Sequence, residues 1–375
     1  MNDYDVIVIG AGIAGASIAS EIAADLRVLL LERESQPGYH ATGRSAAAFI
    51  PSYGHNNPSL RGLTLASYAF LSQPPSAFCN VALLRRRSLL TVCPPGEGAT
   101  IKTEYKHLSS FVPNLTMLEA PAAQALVPLL RDDYAQVAML ERDVFDIDVD
   151  ALHQGYLRSI SARDGVVHCR AEVQTMKRKD GVWHIGTTQG AFRAPIAVNA
   201  AGAWADELAR KAGVQPIGLA PMRRTAVLLK PPAGIDVSDW PLVLCNDESF
   251  YFKPDAGLIL ISPADEHPSA ATDAQPAELD VAYAVHFAEL ALQLENPRVQ
   301  RTWAGLRSFV ADRTPVVGFD PESDGFFWLC GQGGHGIQTA PATARLAASL
   351  LLDKSLPEDL LAADFDPAWV SPARL

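Results

Sequence analysis

The sequence predicts a mixed α/β (α+β) protein, with a Rossmann-like dinucleotide-binding domain joined to a second domain built on a largely antiparallel sheet. Three observations point there. The chain opens on "DYDVIVIGAGIAGASIASEIAADLRVLLLERE", a βαβ unit with G-x-G-x-x-G between strand and helix. Its middle is a series of short strands punctuated by Asp-Gly and Gln-Gly turns. Near the end, the strand "FFWLCGQ" runs into "GGHGIQTAPATARLAASLLL", a second glycine turn opening a helix. With 375 residues, 48% of them hydrophobic, the chain can bury more than one core.

In the opening unit Gly10 allows the tight turn, Gly12 lets the backbone approach a pyrophosphate at the helix N-terminus, and Gly15 lets helix and strand pack closely. Glu32 ends the second strand, where an acid meets a ribose 2′-hydroxyl and repels the 2′-phosphate of NADP. Further on, Asn57 is expected to cap a helix with Pro58 at its first position. The strands "SLLTVCP" and "QVAMLER" bracket a helical region, and Asp150 is expected to cap the helix "ALHQGYLRSI", whose Leu152, Tyr156 and Ile160 share a face. After the strands of "GVVHCRAEVQTMKRKDGVWHIGTTQGAFRAPIAVNAAGAW", the segments "MRRTAVLLK", "SFYFKPD" and "GLILISP" read as antiparallel strands, and "LDVAYAVHFAELALQL" as a helix.

The segment "TWAGLRSFVADRTPVVGF" reads as a buried strand with a permanent charge, Arg307, between Leu306 and Phe309. A buried guanidinium needs an anion, and the residues alone leave a structural ion pair and a ligand about equally open. Arg223 and Arg224 are adjacent on a strand and so point to opposite faces; one of them at most can share a site with Arg307. The same alternation separates Tyr251 from Phe250 and Phe252. Tyr53, in "FIPSYGHN", reads from the residues alone as a loop aromatic covering the core. The run Arg85 to Arg87 reads as a solvated face from which one arginine could reach a pocket, and Lys253 has no assigned role.

A formal net charge of −11 disfavours nucleic acid and anionic lipid as partners. Five widely spaced cysteines without a C-x-x-C pair suit free thiols in a reducing compartment. The nine histidines include no H-E-x-x-H pattern, and no metal site is expected. No stretch approaches the roughly 20 apolar residues of a membrane span, and the chain enters a strand at Asp5 without a basic leader. A cytoplasmic location is expected, with peripheral attachment at the inner face of the membrane left open.

The order of the first βαβ unit, "TGRSAA", "VNAAGAW", "GLRSF" and "GQGGHGIQ" resembles the D-amino-acid oxidase superfamily of FAD-dependent oxidoreductases. Within it, "GAGIAGAS", "DALHQGYLR", "TWAGLRSFVAD" and the glycine turn at Gly333 are most similar to the D-arginine dehydrogenases. The resemblance implies noncovalent FAD, held at Gly10, Gly12, Gly15, Glu32, Arg33, Ser45, Val173, Gly202, Gly333, Gly334, His335, Gly336, Ile337 and Gln338. It implies a discontinuous division, with residues 1–80, 145–217 and 302–375 on FAD and residues 81–144 and 218–301 on substrate. Arg307 and Arg224 would clamp an α-carboxylate, with Tyr251 and the lid residue Tyr53 beside them, and Ala48, Ile50, Leu89, Glu248 and Gly334 would line the substrate pocket.

Departures bear on the substrate. Leu89 stands where the D-arginine dehydrogenases place a glutamate for the guanidinium, and Ala48 and Ile50 stand for a histidine and a threonine. The expected reaction is oxidative deamination of a D-amino acid with an apolar side chain, by hydride transfer from Cα to flavin N5. The resulting imino acid hydrolyses to a 2-oxo acid and ammonia. Electrons would leave to a quinone or another carrier, since "GLILIS" lacks the lysine with which sarcosine oxidases activate oxygen. Oxidation of an N-substituted amino acid (opine or N-methyl) or a 2-hydroxy acid is the alternative chemistry, and a flavin-binding subunit of a larger electron-transfer complex the alternative class.

Overall fold

The computed structural model describes residues 2–375. A six-stranded sheet forms its first layer, in the order Val166–His168, Val28–Leu31, Val6–Ile9, Ile196–Asn199, Phe326–Cys330, Val316–Phe319. The first five strands run parallel and the last is antiparallel. Alternation sorts its side chains between two cores. Val6, Val8, Val28 and Leu30 pack under Ile18 and Ile22 of helix Ile13–Ile22 and Leu346 of helix Gly336–Leu351. Ile7, Ile9, Leu29 and Leu31 face the other way, onto Met176, Trp183 and Phe192 of a four-stranded sheet and Leu208 of helix Ala205–Ala212. Each fully buried side chain of this size contributes about 1.5–3 kcal/mol.

The second unit is a nine-stranded, mainly antiparallel sheet that includes Leu89–Val92, Val137–Glu141, Ala220–Leu229, Leu242–Cys245, Tyr251–Asp255, Leu258–Ser262 and Val299–Phe309. One pair, Leu242–Cys245 with Leu89–Val92, is parallel. Strand Val299–Phe309 pairs along its length with Ala220–Leu229, from Leu229↔Val299 to Ala220↔Phe309. The division expected between residues 301 and 302 therefore cuts through one strand, and Arg307 is carried by the antiparallel sheet.

Two local expectations need correction. The helix expected to start after Asp150 spans Val149–Ser161 and is capped by Asp148, whose carboxylate accepts from Ala151 N at 2.8 Å. Asp150 lies in its first turn. Arg87 does not belong to a solvated run: its side chain is 6% exposed and donates to Asp146 at 2.7 Å and to the carbonyls of Ser238 and Trp240. Lys253 Nζ meets the other oxygen of Asp146, also at 2.7 Å. Asn57 caps helix Pro58–Ser72 as expected, accepting from Ser59 N and Leu60 N.

Candidate active site

A single cleft runs from the end of the second parallel strand to the antiparallel sheet. At one end lie Gly10, Gly12, Glu32, Arg33, Val173, Gly202 and Trp204; at the other, Arg224, Tyr251, Arg307, Gly333, Gly334 and Gly336. Ser45 and Ile337 line it between.

The glycines at the first end are required by space. Gly10 sits at φ +102°, and a Cβ there would fall 2.4 Å from Ala200 O; one on Gly15 would fall 1.8 Å from Gly10 O. Gly15 is thus the helix-packing glycine and does not face the cleft. Helix Ile13–Ile22 starts at Gly12 without a side-chain cap from that residue, which leaves its first turn open to an anion. Thr42, which sequence reasoning passed over, accepts from Ile13 N at 2.9 Å. Glu32 is buried, its carboxylate held by Ala11 N at 2.8 Å and Glu34 N at 2.9 Å. Beside it the Arg33 guanidinium lies 4.2 Å from the centre of the Trp204 ring, and Lys211 Nζ donates to Val173 O at 2.9 Å. A buried strand-terminal acid, an open helix N-terminus and a backbone cleared of side chains fit a dinucleotide with ribose and pyrophosphate.

The other end is assembled by register. Arg307 faces Met222 across the ladder and Arg224 faces Gly305, so both arginines lie on one side of the sheet, with no side chain at Gly305 to fill the space between. Arg223 takes the opposite face, where it pairs with Asp280 at 2.8 Å. Arg224 gives one nitrogen to Glu266 at 3.0 Å, while its buried Nε has no partner. Arg307 makes no ion pair with any carboxylate among the described residues, whereas Arg44, Arg87, Arg223 and Arg224 all do. Burial opposes its charge, but the oxygens of Tyr53, Tyr251 and Glu266 more than offset that and hold its pKa above the ordinary value. Burial likewise favours the neutral phenol of Tyr251, yet Arg307 and Arg224 outweigh it and draw its pKa down.

Gly334 leaves room for this grouping, since a Cβ there would lie 2.9 Å from Tyr53 Oη and 3.1 Å from Arg307 Nη1. His335 and Gln338 do not line the cleft. The His335 ring stacks on Tyr53, and the Gln338 amide accepts from Ile50 N at 3.2 Å and donates to Thr64 Oγ1 at 3.0 Å. Ala48, Ile50 and Leu89, expected in the substrate pocket, do not line the cleft; they form one apolar cluster with Leu242, Leu244 and Tyr251, and of these six Tyr251 alone reaches the cleft. Glu248 is exposed on the turn after Cys245, outside both the cleft lining and that cluster. No cluster of described residues could hold a metal ion, and no described helix is long and apolar enough to cross a membrane.

Fold and cleft together define a dinucleotide-binding protein. The family of FAD dependent oxidoreductases (DAO) matches residues 5–350, and the chain belongs to it; its cofactor is FAD. Among curated relatives, a glycine oxidase of Pseudomonas aeruginosa is 27% identical over 377 residues, covering 98% of each chain. Another, of Geobacillus kaustophilus, is 24% identical over 369 residues, covering 95% of each. The crystal structure of glycine oxidase from Geobacillus kaustophilus superposes with a TM-score of 0.86 at 23% identity, covering 100% of both chains. L-proline dehydrogenase from P. horikoshii gives 0.83 at 20%, covering 100% of this chain and 98% of that one. At these identities the structures speak for the fold.

Proposed function

We propose that the protein oxidises the Cα–N bond of a D-amino acid with an apolar side chain, yielding an imino acid that water converts to a 2-oxo acid and ammonia. The observation that carries this reading is Arg307: a guanidinium facing the cleft, with no carboxylate of the described protein within ion-pair distance. Its fork, with the unpartnered Nε of Arg224 beside it, suits a substrate α-carboxylate held by parallel hydrogen bonds. FAD, when bound, supplies the two-electron acceptor. The chain supplies position: Arg307 and Arg224 anchor the carboxylate, Tyr53 and Tyr251 flank it, and the strand registry fixes where Cα then sits. The uncapped N-terminus of helix Gly336–Leu351 brings backbone N–H groups and partial positive charge to the same end of the cleft.

The cluster of Leu89, Ala48, Ile50, Leu242 and Leu244 behind Tyr251 supports an apolar side chain, because the one carboxylate on that face, Glu141, is already engaged by Ser52 and a cationic group would be poorly partnered there. The D configuration rests on the likeness to D-arginine dehydrogenases. The full-length relatives are named glycine oxidases, so glycine and N-methylglycine belong in any test. We infer that the electrons pass to a carrier other than oxygen: strand Leu258–Ser262 bears no lysine, and Lys253 on the neighbouring strand is bound to Asp146. Anaerobic bleaching of the flavin by a panel of D- and L-amino acids, glycine, N-methyl amino acids and 2-hydroxy acids tests the substrate class. Reoxidation by air against a quinone tests the acceptor. Bleaching by 2-hydroxy acids alone, or by none of the panel, would overturn the reading.

A further inference from the structure

The loop that carries Tyr53 is tied to both halves of the cleft. On the cofactor side, Ile50 N donates to the Gln338 side chain at 3.2 Å and Tyr53 stacks on His335. On the substrate side, Ser52 donates twice to one carboxylate, from its backbone N to Glu141 Oε1 at 3.2 Å and from its hydroxyl to Glu141 Oε2 at 2.5 Å. Glu141 is 2% exposed and ends strand Val137–Glu141 directly across from Leu89, on the face that bears the apolar cluster. A carboxylate in that place is costly, and nothing in the site as described uses it. Its two hydrogen bonds anchor the loop to strand Val137–Glu141.

We propose that Glu141 is a positioning residue for the carboxylate subsite: by gripping Ser52 it holds the adjoining Tyr53 against Arg307. This rests on the reading of Arg307 as a substrate anchor. The neighbouring strands present Leu89 and Leu115 to Glu141 and the loop presents Ser52, so the charged group that bears on it is Asp143, two residues along its own chain. Burial pushes the Glu141 carboxyl up to about 7; the Ser52 bonds draw it partly back, and Asp143 adds to the rise. An opened loop would let water reach the carboxyl and restore an ordinary, lower pKa. The closed loop therefore binds the proton more tightly, and raising the pH through about 7 favours opening.

The test is amide hydrogen exchange of Tyr53 and His55 in the FAD-loaded protein, corrected for intrinsic rates. Both amides are bonded within the loop, to Ile50 O and Ser52 O. Protection in the wild type should fall between about pH 6 and about pH 8, Glu141→Gln should stay protected at both, and Ser52→Ala should lose about tenfold at both. KM for the amino acid in Ser52→Ala should rise about tenfold, with kcat and flavin content unchanged. Wild-type protection in Ser52→Ala, or a wild-type pH response in Glu141→Gln, would overturn the assignment. If no amino acid is turned over, the substrate reading falls, and the exchange data still decide the latch by themselves.

Discussion

The ring of His335 stacks on that of Tyr53, with centroids 4.2 Å apart and 22° between the planes. His335 Nε2 is buried there without a hydrogen-bond partner, and burial, with Arg307 and Arg313 adding to it, pulls the imidazole pKa down to about 3. The ring is thus neutral at physiological pH and serves as a flat, uncharged floor under the tyrosine.

A linkage consequence follows from that depressed pKa. Between about 3 and 6.5 the unfolded chain binds a proton at His335 that the folded one refuses, so this residue's contribution to stability is full above 6.5 and is lost as the pH falls through that window. His335→Phe keeps the stack and removes the titration. Its melting temperature should decline less on acidification than that of the wild type; parallel curves for the two proteins would refute the assignment.

Arg307→Met should retain FAD and its melting temperature, because no ion pair is broken, and should lose roughly two to three powers of ten in kcat/KM, equivalent to about 3–4 kcal/mol for a half-paired buried carboxylate. Arg307→Lys should recover part of that, since a point charge cannot make two parallel hydrogen bonds. Unchanged kcat/KM in a folded, FAD-loaded Arg307→Met would remove Arg307 from the site.

D-Leucine, D-methionine and D-phenylalanine should each show a higher kcat/KM than D-arginine. The cluster around Leu89 offers a guanidinium no partner, and the nearest carboxylate across the ladder, Glu141, is engaged by Ser52. Steady-state kinetics on these four substrates decide it, and a preference for D-arginine would mean that a carboxylate reaches the pocket.

FAD should be released by acid or heat. None of the five free cysteines lines the cleft, His335 is stacked on Tyr53 outside it, and the histidine that does line it, His40, is paired with Glu34 at 2.9 Å. Yellow colour that stays with the precipitated protein after denaturation would show a covalent link.

Much of this was legible in the sequence because the signals were local. A glycine turn between strand and helix is spelled out by neighbouring residues, and simple alternation was enough to assign Arg223 and Arg224 to opposite faces and to turn Tyr251 away from Phe250 and Phe252. What stayed hidden depended on partners distant in the chain. Arg87 looks like part of a solvated run until Asp146, Ser238 and Trp240 converge on it. Glu141 reads as an ordinary strand-end acid until Ser52 is folded onto it. Asp148 and Asp150 are equally good caps by composition, and which one accepts from the third residue of the helix is a matter of backbone conformation. Glu248 came from motif order, which carries no information on whether a turn folds toward the pocket or away from it.

The central parallel sheet is completed late in the chain. Ile196–Asn199 lies between Val6–Ile9, which precedes it by far in the chain, and Phe326–Cys330, which follows it by far. Until Phe326–Cys330 has been made, one edge of that apolar strand has no neighbour, and open strand edges on a nascent chain invite pairing with another copy. A message cut short before Phe326 would therefore yield no smaller enzyme: it would yield an unsealed sheet lacking the second glycine turn, a product for chaperones and proteases to clear.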